Sequence, residues 1–479
     1  MAVIRKYLRI ADNTSMTGYR EIAESGTANQ FNVSNLTPDT QYYIDANVEN
    51  NRGTARSAQS NFKTDLRLIS SPLRVVNNVA GSAITVTLTR NGSPADIDIE
   101  YSTDNVNWNT WTETNGVRSM TIAQNGNLYL RGDNPNGLNP TISALDCYTF
   151  TADKKYAMAG DIRSLISHYE IDTLPNGAFY RFFLGSTTLD NVSYVRFEAK
   201  TLGKSAYSRL FRNCTGLKLS PHILPATTAG ERAYYEMFSG CSALQVAPII
   251  SATSFGEHTC DSMFYGCSAL TQQWATSTVT DSTKTNISFT IASSNDYSFH
   301  YMFYNCTSLV NAGGITATQT TNWSPFVCFC MFSGCTKLTT APSITFGSFV
   351  SGAAHCGSMF AGCTSLPSTP NIKLNATTLY GGTYSGMYGG CTKLTTSPEI
   401  KATTIGTDSL DSMFHNCTSL TYIKVHFTTW NSDSTTKWTY GTPASGDFYK
   451  PSALPSTKNA SGNITHADYI PYDWKITNI

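Results

Sequence analysis

One eight-residue motif, Met-Phe-x-x-Cys-x-x-Leu, recurs along the second half of the chain and constrains the fold more than any other feature. Copies begin at Phe182 (with Ser186 in the place of Cys), Leu210, Met237, Met263, Met302, Met331, Met359, Met387 and Met413. Successive copies begin 26 to 39 residues apart, which is the spacing of a solenoid in which each repeat forms one coil. A single repeat is too small to bury its apolar columns, so stacked copies must bury them against their equivalents. The sequence therefore predicts a solenoid of about nine repeats over 156–427.

Thirteen cysteines are an odd count, and 12 of them lie between Cys214 and Cys417. Eight occupy the same position of the motif, where a small apolar side chain with a weak S–H donor suits a buried ladder. Regular disulfides between adjacent coils are the alternative, whereas a metal site would need Cys-x-x-Cys pairs or histidines at ligand spacing. The predicted ladder consists of Cys214, Cys241, Cys267, Cys306, Cys335, Cys363, Cys391 and Cys417.

The columns of the motif also predict local structure. Met and Phe before Gly-Cys or Asn-Cys are typical of a short helix that ends at a residue tolerant of left-handed geometry. In five copies a proline follows the motif leucine by four residues, and an isoleucine comes two residues later. Because proline has no amide donor, a strand ladder must break or end there. The predicted fold class is therefore mostly β with short helices.

The motif followed by a proline-bearing strand resembles the BspA-type leucine-rich repeat. The stretches 446–454 and 470–474 resemble the ending that such arrays carry, so a C-terminal cap is expected over 428–479. The resemblance covers about 182 to 479 and implies a leucine-rich-repeat solenoid. The family occurs in surface adhesins of gut and oral bacteria, and similar repeats occur in virion proteins of their phages.

The first 68 residues contain a segment that resembles the second half of a fibronectin type III domain. Leu36, Pro38 and Tyr42 match the corner before the penultimate strand, where a tyrosine hydroxyl bonds back to the backbone. Only 35 residues precede this corner, and they contain no tryptophan for the core. Either the domain is a minimal sandwich or another subunit supplies its missing strands. Because an incomplete sheet presents unpaired edges, we expect residues 1–68 to dock or oligomerise.

Residues 69–155 show a strand pattern of their own. Ile84, Val86 and Leu88 alternate with polar residues, and two Asn-Gly pairs in this region are typical of hairpin turns. We predict a second β-sandwich here, of the immunoglobulin or fibronectin type, and a short helix within 157–169. The expected architecture is therefore two small β-sandwich domains followed by the solenoid.

Composition excludes several classes of function. Lys+Arg and Asp+Glu are both 33, so the formal net charge is zero, and the basic surface that nucleic-acid binding needs is not indicated. No stretch approaches the roughly 18 uninterrupted apolar residues of a membrane span. Motifs for nucleophilic catalysis and phosphate binding are absent, and the 8 histidines never pair at ligand spacing. We therefore expect no enzyme, no cofactor, no metal site, no nucleic-acid partner and no membrane insertion.

One repeat interval is 39 residues long and carries an insertion of about 11 residues between Thr271 and Ser298. Insertions in solenoids form loops on one face, which is often the binding face. Trp274 and Tyr297 lie within this interval and supply aromatic rings suited to stacking on sugars, so they are the candidate binding residues. A tolerated surface loop without a binding role is the alternative.

Together these features favour a non-enzymatic structural or adhesive protein. The first hypothesis is a bacteriophage virion appendage (head fibre, tail fibre or capsid decoration protein), because no signal peptide or anchoring segment is recognised in the sequence. A bacterial cell-surface adhesin is the alternative. In the virion hypothesis the N-terminal domain attaches to other virion proteins and the chain forms a homo-oligomer, a dimer or a trimer. The solenoid would then bind a host surface protein or glycan.

Overall fold

The computed structural model describes residues 68–479, apart from 78, 279, 353 and 462–467, and the backbone of five strands before them. The chain divides into two compact units, 1–70 with 167–170 and 71–166 with 171–479. The described residues are nearly all β, and their only helix is a 3-10 helix over Ile162–Leu165. Within this described part, no helix has the length and apolar character needed to cross a membrane.

The first unit contains one antiparallel sheet. Its strands are β1 (Val3–Ala11), β2 (Arg20–Ala23), β3 (Gln41–Asn50), β4 (Gly53–Arg56) and β5 (Ser60–Lys63). The order is β2-β1-β3-β4, and β5 also pairs with β3. Tyr42 lies in β3 opposite Phe62, whereas Leu36 and Pro38 of the predicted corner lie outside the described residues. The described strands form a single sheet, so the predicted sandwich is not confirmed.

The second unit begins with two sheets that share a core. The strands are β6 (Leu73–Val76), β7 (Ile84–Asn91), β8 (Glu100–Ser102), β9 (Asn109–Thr110), β10 (Val117–Ile122), β11 (Asn127–Arg131), β12 (Cys147–Ala152) and β13 (Tyr156–Asp161). One sheet has the order β10-β7-β12, and the other contains β13-β6-β11-β8-β9. Ile84, Val86 and Leu88 of β7 alternate into the core as predicted. This region belongs to the same compact unit as the solenoid, and a separate sandwich domain is not confirmed.

These two sheets close the first end of the solenoid. Strand β13 pairs in parallel with a strand of the first coil, Leu189–Arg196, so one sheet passes from the antiparallel region into the coils. The ring of Phe150 in β12 lies 6.0 Å from that of Phe182 and 5.7 Å from that of Phe183, both in the first motif copy. Burying these rings together covers an end that would otherwise expose apolar columns.

A β-solenoid of about 11 turns runs from about residue 173 to the C-terminus. Its short strands pair in parallel with the same position of the next coil, except in the antiparallel hairpin β22–β23. The strands are β14 (Thr173–Leu174), β15 (Leu189–Arg196), β16 (Thr201–Leu202), β17 (Ile223–Leu224), β18 (Thr228–Ala229), β19 (Val246–Ala247), β20 (Ile249–Ile250), β21 (Ser254–Phe255), β22 (Gln272–Trp274), β23 (Lys284–Thr285), β24 (Ser288–Ile291), β25 (Ser293–Ser294), β26 (Gly314–Ala317), β27 (Ile344–Phe346), β28 (Ile372–Leu374), β29 (Thr378–Leu379), β30 (Thr404–Ile405), β31 (Tyr422–Lys424), β32 (Asp447–Lys450) and β33 (Lys475–Asn478).

Proline separates two short strands within a coil, as the missing donor predicts. Pro248 lies between β19 and β20, and each of these strands pairs with a different strand of a neighbouring coil. Parallel pairing continues from β31 through β32 to β33. The segment predicted as a cap, 428–479, therefore carries on the stacking of coils.

The motif itself forms consecutive turns, and the predicted short helix is absent from its described copies. In the turns that lead into the second copy, a left-handed residue recurs at every fourth position, at Ser205, Arg209 and Asn213. Successive amides then alternate between an acceptor in their own coil and an acceptor in the next coil. The N–H of Leu210 donates within the coil, whereas that of Arg209 donates to the carbonyl of Tyr235 in the next coil, at 2.8 Å. Hydrogen bonding between coils replaces the helical ladder, which is why the local helix prediction was wrong.

The inner side of these turns carries a continuous stack of aromatic rings. Neighbouring ring centroids lie 5.3 to 6.0 Å apart. All but the last pair are nearly parallel, so the coils advance in register. The stack consists of Phe183, Phe211, Phe238, Phe264, Phe303, Phe332, Phe360, Tyr388, Phe414 and Trp438.

The thiols of the eight predicted ladder cysteines are free and buried beside this stack. The carbonyl of Phe211 accepts the N–H of Cys214 in its own coil and the S–H of Cys241 in the next coil, at 2.9 Å. The other seven ladder thiols make the equivalent bond, 3.0 to 3.2 Å long, to the preceding coil. Burial raises the pKa of Cys335 and Cys417 to about 12. A cysteine in this column therefore fills a small space and also links two coils.

Candidate functional site

Each turn segment has an outer face whose residues vary while the inner columns stay constant. The outer positions lie five, two and one residues before the motif and at its third residue. In the coil whose motif begins at Met302 they hold Tyr297, His300, Tyr301 and Tyr304, all partly exposed. The backbone that carries them is fixed on both sides by hydrogen bonds to neighbouring coils, so the rings project from a rigid support.

Aromatic side chains occupy these outer positions in four consecutive coils. Parallel pairs are formed by His258 with Tyr297 (4.5 Å) and by Tyr297 with Phe326 (4.8 Å). Tyr265 and Tyr304 form another parallel pair, with centroids 4.9 Å apart. We call the whole set the aromatic turn surface: Tyr235, His258, Tyr265, Tyr297, His300, Tyr301, Tyr304, Phe326 and Phe329.

Asp261 holds two of these rings in place. Its side chain is almost fully buried, and its two carboxylate oxygens face Nδ1 of His258 at 2.7 Å and Nδ1 of His300 at 3.2 Å. The hydroxyl of Ser262 donates to the same carboxylate at 2.8 Å. Because an ionised carboxylate only accepts hydrogen bonds, both imidazoles present an N–H to it. Two neighbouring coils are thereby joined behind the surface, and their rings are preorganised.

Some ring faces of this surface have no aromatic neighbour on one side. In the column of Tyr265 and Tyr304, the preceding coil carries Ser239 and the following coil carries Ser333. Tyr265 is the most exposed ring of the pair, at 39% of its maximal area. Adjacent coils are roughly 4.8 Å apart, so a ring beside a serine leaves a space about as thick as one flat ring.

Beyond Phe326 and Phe329 the outer positions change character. The next coil has Ala354, Gly357, Ser358 and Ala361 there. The coil after it has Gly382, Ser385, Gly386 and Gly389. The rings therefore end abruptly at a strip of small residues, although the inner stack continues without interruption.

The two residues proposed from the sequence occupy different places. Tyr297 lies at the centre of the aromatic turn surface, stacked between His258 and Phe326. Trp274 is only 4% exposed, and its indole N–H donates to the carbonyl of Ser220 at 3.1 Å. Its ring stacks on His222 at 4.0 Å, and the insertion begins there by folding back as the hairpin β22–β23. Trp274 therefore packs the coil, while Tyr297 faces outward.

The other rings of the surface were missed by sequence reasoning, which considered the histidines, His258 and His300 among them, only as metal ligands. A usable signal existed in the repeats. When the motif copies are aligned, rings gather in the outer positions of only a few consecutive copies. That column comparison required knowing which positions face outward, and the helix predicted for this segment placed them differently.

A polar cavity of about 710 Å³ lies along the strands of later coils, away from the aromatic turn surface. Lys373, Lys401, Lys424 and Glu399 line it. Glu399 contacts Lys424 and His426 at 2.7 Å each, and these hydrogen bonds lower the pKa of the carboxyl to about 2. Over the described ranges, no cluster of three or more His, Cys, Asp or Glu side chains is arranged to hold a metal ion.

The fold defines this chain as a repeat protein of the β-solenoid class. No protein-family model, no curated protein and no solved structure matches this chain with significant similarity.

Proposed function

We propose that this protein is a non-enzymatic attachment protein whose solenoid binds carbohydrate on a host surface through the aromatic turn surface. The observation that carries the proposal is the row of partly exposed rings across four consecutive coils, held on a backbone bonded on both sides. Sugars bind aromatic rings through the apolar C–H faces of the pyranose, while tyrosine hydroxyls and imidazoles supply hydrogen bonds at the ring edge.

The arrangement suits a polymer better than a single small molecule. Rings repeat at the spacing of the coils, and the surface is open along its length. Each ring contributes a modest contact, and several contacts along one chain add up to useful affinity. Display of several copies on one particle would raise the avidity further.

We further propose that the chain is a bacteriophage virion appendage with repeats of the BspA leucine-rich type. The repeat solenoid and the resemblance of its motif support this assignment. In this proposal the N-terminal sheet attaches to other virion proteins and mediates homo-oligomerisation. The alternative is a bacterial cell-surface adhesin, which would use the same carbohydrate-binding surface.

The binding proposal is tested with a double variant, Tyr265→Ala with Tyr304→Ala, measured against a panel of immobilised bacterial surface polysaccharides. We expect the wild-type chain to bind some members and the double variant to lose about tenfold or more in affinity. Tyr194→Ala is the matched control, because Tyr194 is 51% exposed on β15 and lies outside the surface. Equal binding by the wild type and the double variant would contradict the proposal.

The virion proposal is tested by mass spectrometry of purified phage particles beside outer-membrane fractions of the host. Detection in particles at a constant ratio to capsid protein supports the appendage. Detection only in the membrane fraction supports the adhesin instead.

A further inference from the structure

A cationic cavity of about 280 Å³ adjoins the aromatic turn surface, and the two share Tyr235 and His258. It opens on the outer face of the coils before the aromatic rows. Its charged lining consists of Lys204, Arg209 and Arg232, and no acidic side chain lines it. This cavity differs from the larger polar cavity, where Glu399 lies among the lysines.

The carboxylates paired with these cations are not part of the cavity lining. Lys204 and Arg232 share Glu231, at 2.9 and 3.0 Å. Arg209 and Arg212 share Glu236, at 2.5 and 3.1 Å. Four cations therefore share two carboxylates, while Glu257 and Asp261 contact His258 at 3.7 and 2.7 Å, at the aromatic turn surface. The lining of the cavity itself presents cations and no carboxylate, which favours an anion by direct attraction.

The cavity is also preorganised. The Nη1 of Arg209 donates to the hydroxyl of Tyr180 at 3.0 Å, and its guanidinium lies 5.1 Å from the centre of the Tyr235 ring. Lys204 and Arg232 remain reachable from solvent, with side chains 45% and 40% exposed. One cation is thus held by hydrogen bonds and ring contact, and two more exposed cations line the same cavity.

We propose that this cavity binds the anionic group of an acidic glycan, whose following sugar rings lie on the aromatic turn surface. The inference rests on the proposed carbohydrate-binding function and names its ligand class. Carboxylate and sulfate groups share the chemistry that the cations recognise. A nucleic acid fits less well, because the outer positions beyond the rings are small and carry no further basic residues to follow a phosphate backbone.

The experiment measures binding of the full-length chain to three soluble polymers at low and at physiological salt. Neutral dextran is the uncharged reference, dextran sulfate presents sulfate on the same backbone, and hyaluronan presents carboxylate only. We expect tighter binding to at least one acidic polymer than to dextran. Whichever of dextran sulfate and hyaluronan binds more tightly identifies the preferred anionic group as sulfate or carboxylate. We also expect this preference to weaken as salt rises.

The test variant is Lys204→Gln with Arg232→Gln, which leaves Arg209 in place. We expect about a tenfold loss of affinity for the preferred acidic polymer and unchanged affinity for dextran. The matched control is Lys373→Gln with Lys401→Gln, which removes two charges from the larger cavity and should leave binding unchanged. Circular dichroism and thermal melting verify that both variants remain folded.

Four results would overturn the inference: equal binding to neutral and acidic polymers, an unaffected test variant, loss of binding in the control instead, or equally tight binding of a single-stranded oligonucleotide. These results would leave the proposed carbohydrate function standing as long as dextran or an acidic polymer still binds and that binding depends on Tyr265 and Tyr304. Absence of any polymer binding by the wild type, in this assay and on the polysaccharide panel, is the separate outcome that contradicts the function itself.

Discussion

The inner and outer faces of the turn segments share one backbone but follow opposite rules. On the inner face, Phe303 is fully buried between Phe264 and Phe332, and the same residue types recur in nearly every coil. On the outer face, the neighbouring Tyr304 is partly exposed, and its column holds a serine one coil later, at Ser333. Burial in the core fixes the inner residues, whereas the outer positions are partly exposed, free to vary and hence able to carry specificity.

The buried thiols of the inner face make stability depend on pH, and this gives the largest expected effect. An unfolded thiol has a pKa of about 8.5. The folded-state pKa of Cys335 and of Cys417 is raised to about 12 by burial. Above about pH 8.5 the unfolded state loses these protons while the native state keeps them, so stability declines as pH rises toward 12. Urea unfolding at pH 7, 9 and 10.5 should show a falling midpoint. A constant midpoint over this range would contradict the role assigned to the buried thiols.

Adjacent inner and outer rings provide the sharpest test of the comparison. Phe303→Ala removes a ring from the middle of the stack and should lower the free energy of unfolding by about 3–5 kcal/mol, through lost burial and the cavity left behind. Tyr304→Ala should cost about 1 kcal/mol or less, because its ring is partly exposed and lies outside the stack. Chemical denaturation of both variants measures the difference. Similar losses in the two variants would break the distinction between the faces.

A smaller effect is expected where the backbone turns between the faces. Gly362 has a φ of +72°, and a Cβ at this position would meet no heavy atom closer than 3.7 Å. Gly362→Val should therefore destabilise the chain by about 1–2 kcal/mol, chiefly through backbone strain. Ala361→Val, one residue earlier, is the control and should change stability by less than about 0.5 kcal/mol. Equal unfolding midpoints for the two variants would show that the left-handed position carries no such cost.

The overall architecture was predictable because the spacing of the repeats indicates a solenoid. The motif period predicted a solenoid, the constant columns predicted buried ladders, and Pro248 marks a break between strands as expected. The short helix was wrong because hydrogen bonds to neighbouring coils compete with the helical ladder, and no local pattern reveals them. Tyr297 was found because it lies near an insertion, but its partners His258 and Phe326 come from other coils.

The sequence by itself determined that this chain repeats, which side chains face the interior, and that the cysteines belong to a ladder. Those properties depend on the period of the repeats and on the alternation of apolar and polar residues, and both can be read from a single sequence. The tertiary structure decided the rest: the turns in place of helices, the sharing of a ring residue's carbonyl between an amide and the thiol of the next coil, and the gathering of rings into one surface. Each of these depends on atoms that are 26 to 42 residues apart in sequence and meet only when the coils stack. Hydrogen-bond geometry between coils, which local propensity does not encode, therefore places the surface on which the proposed function depends.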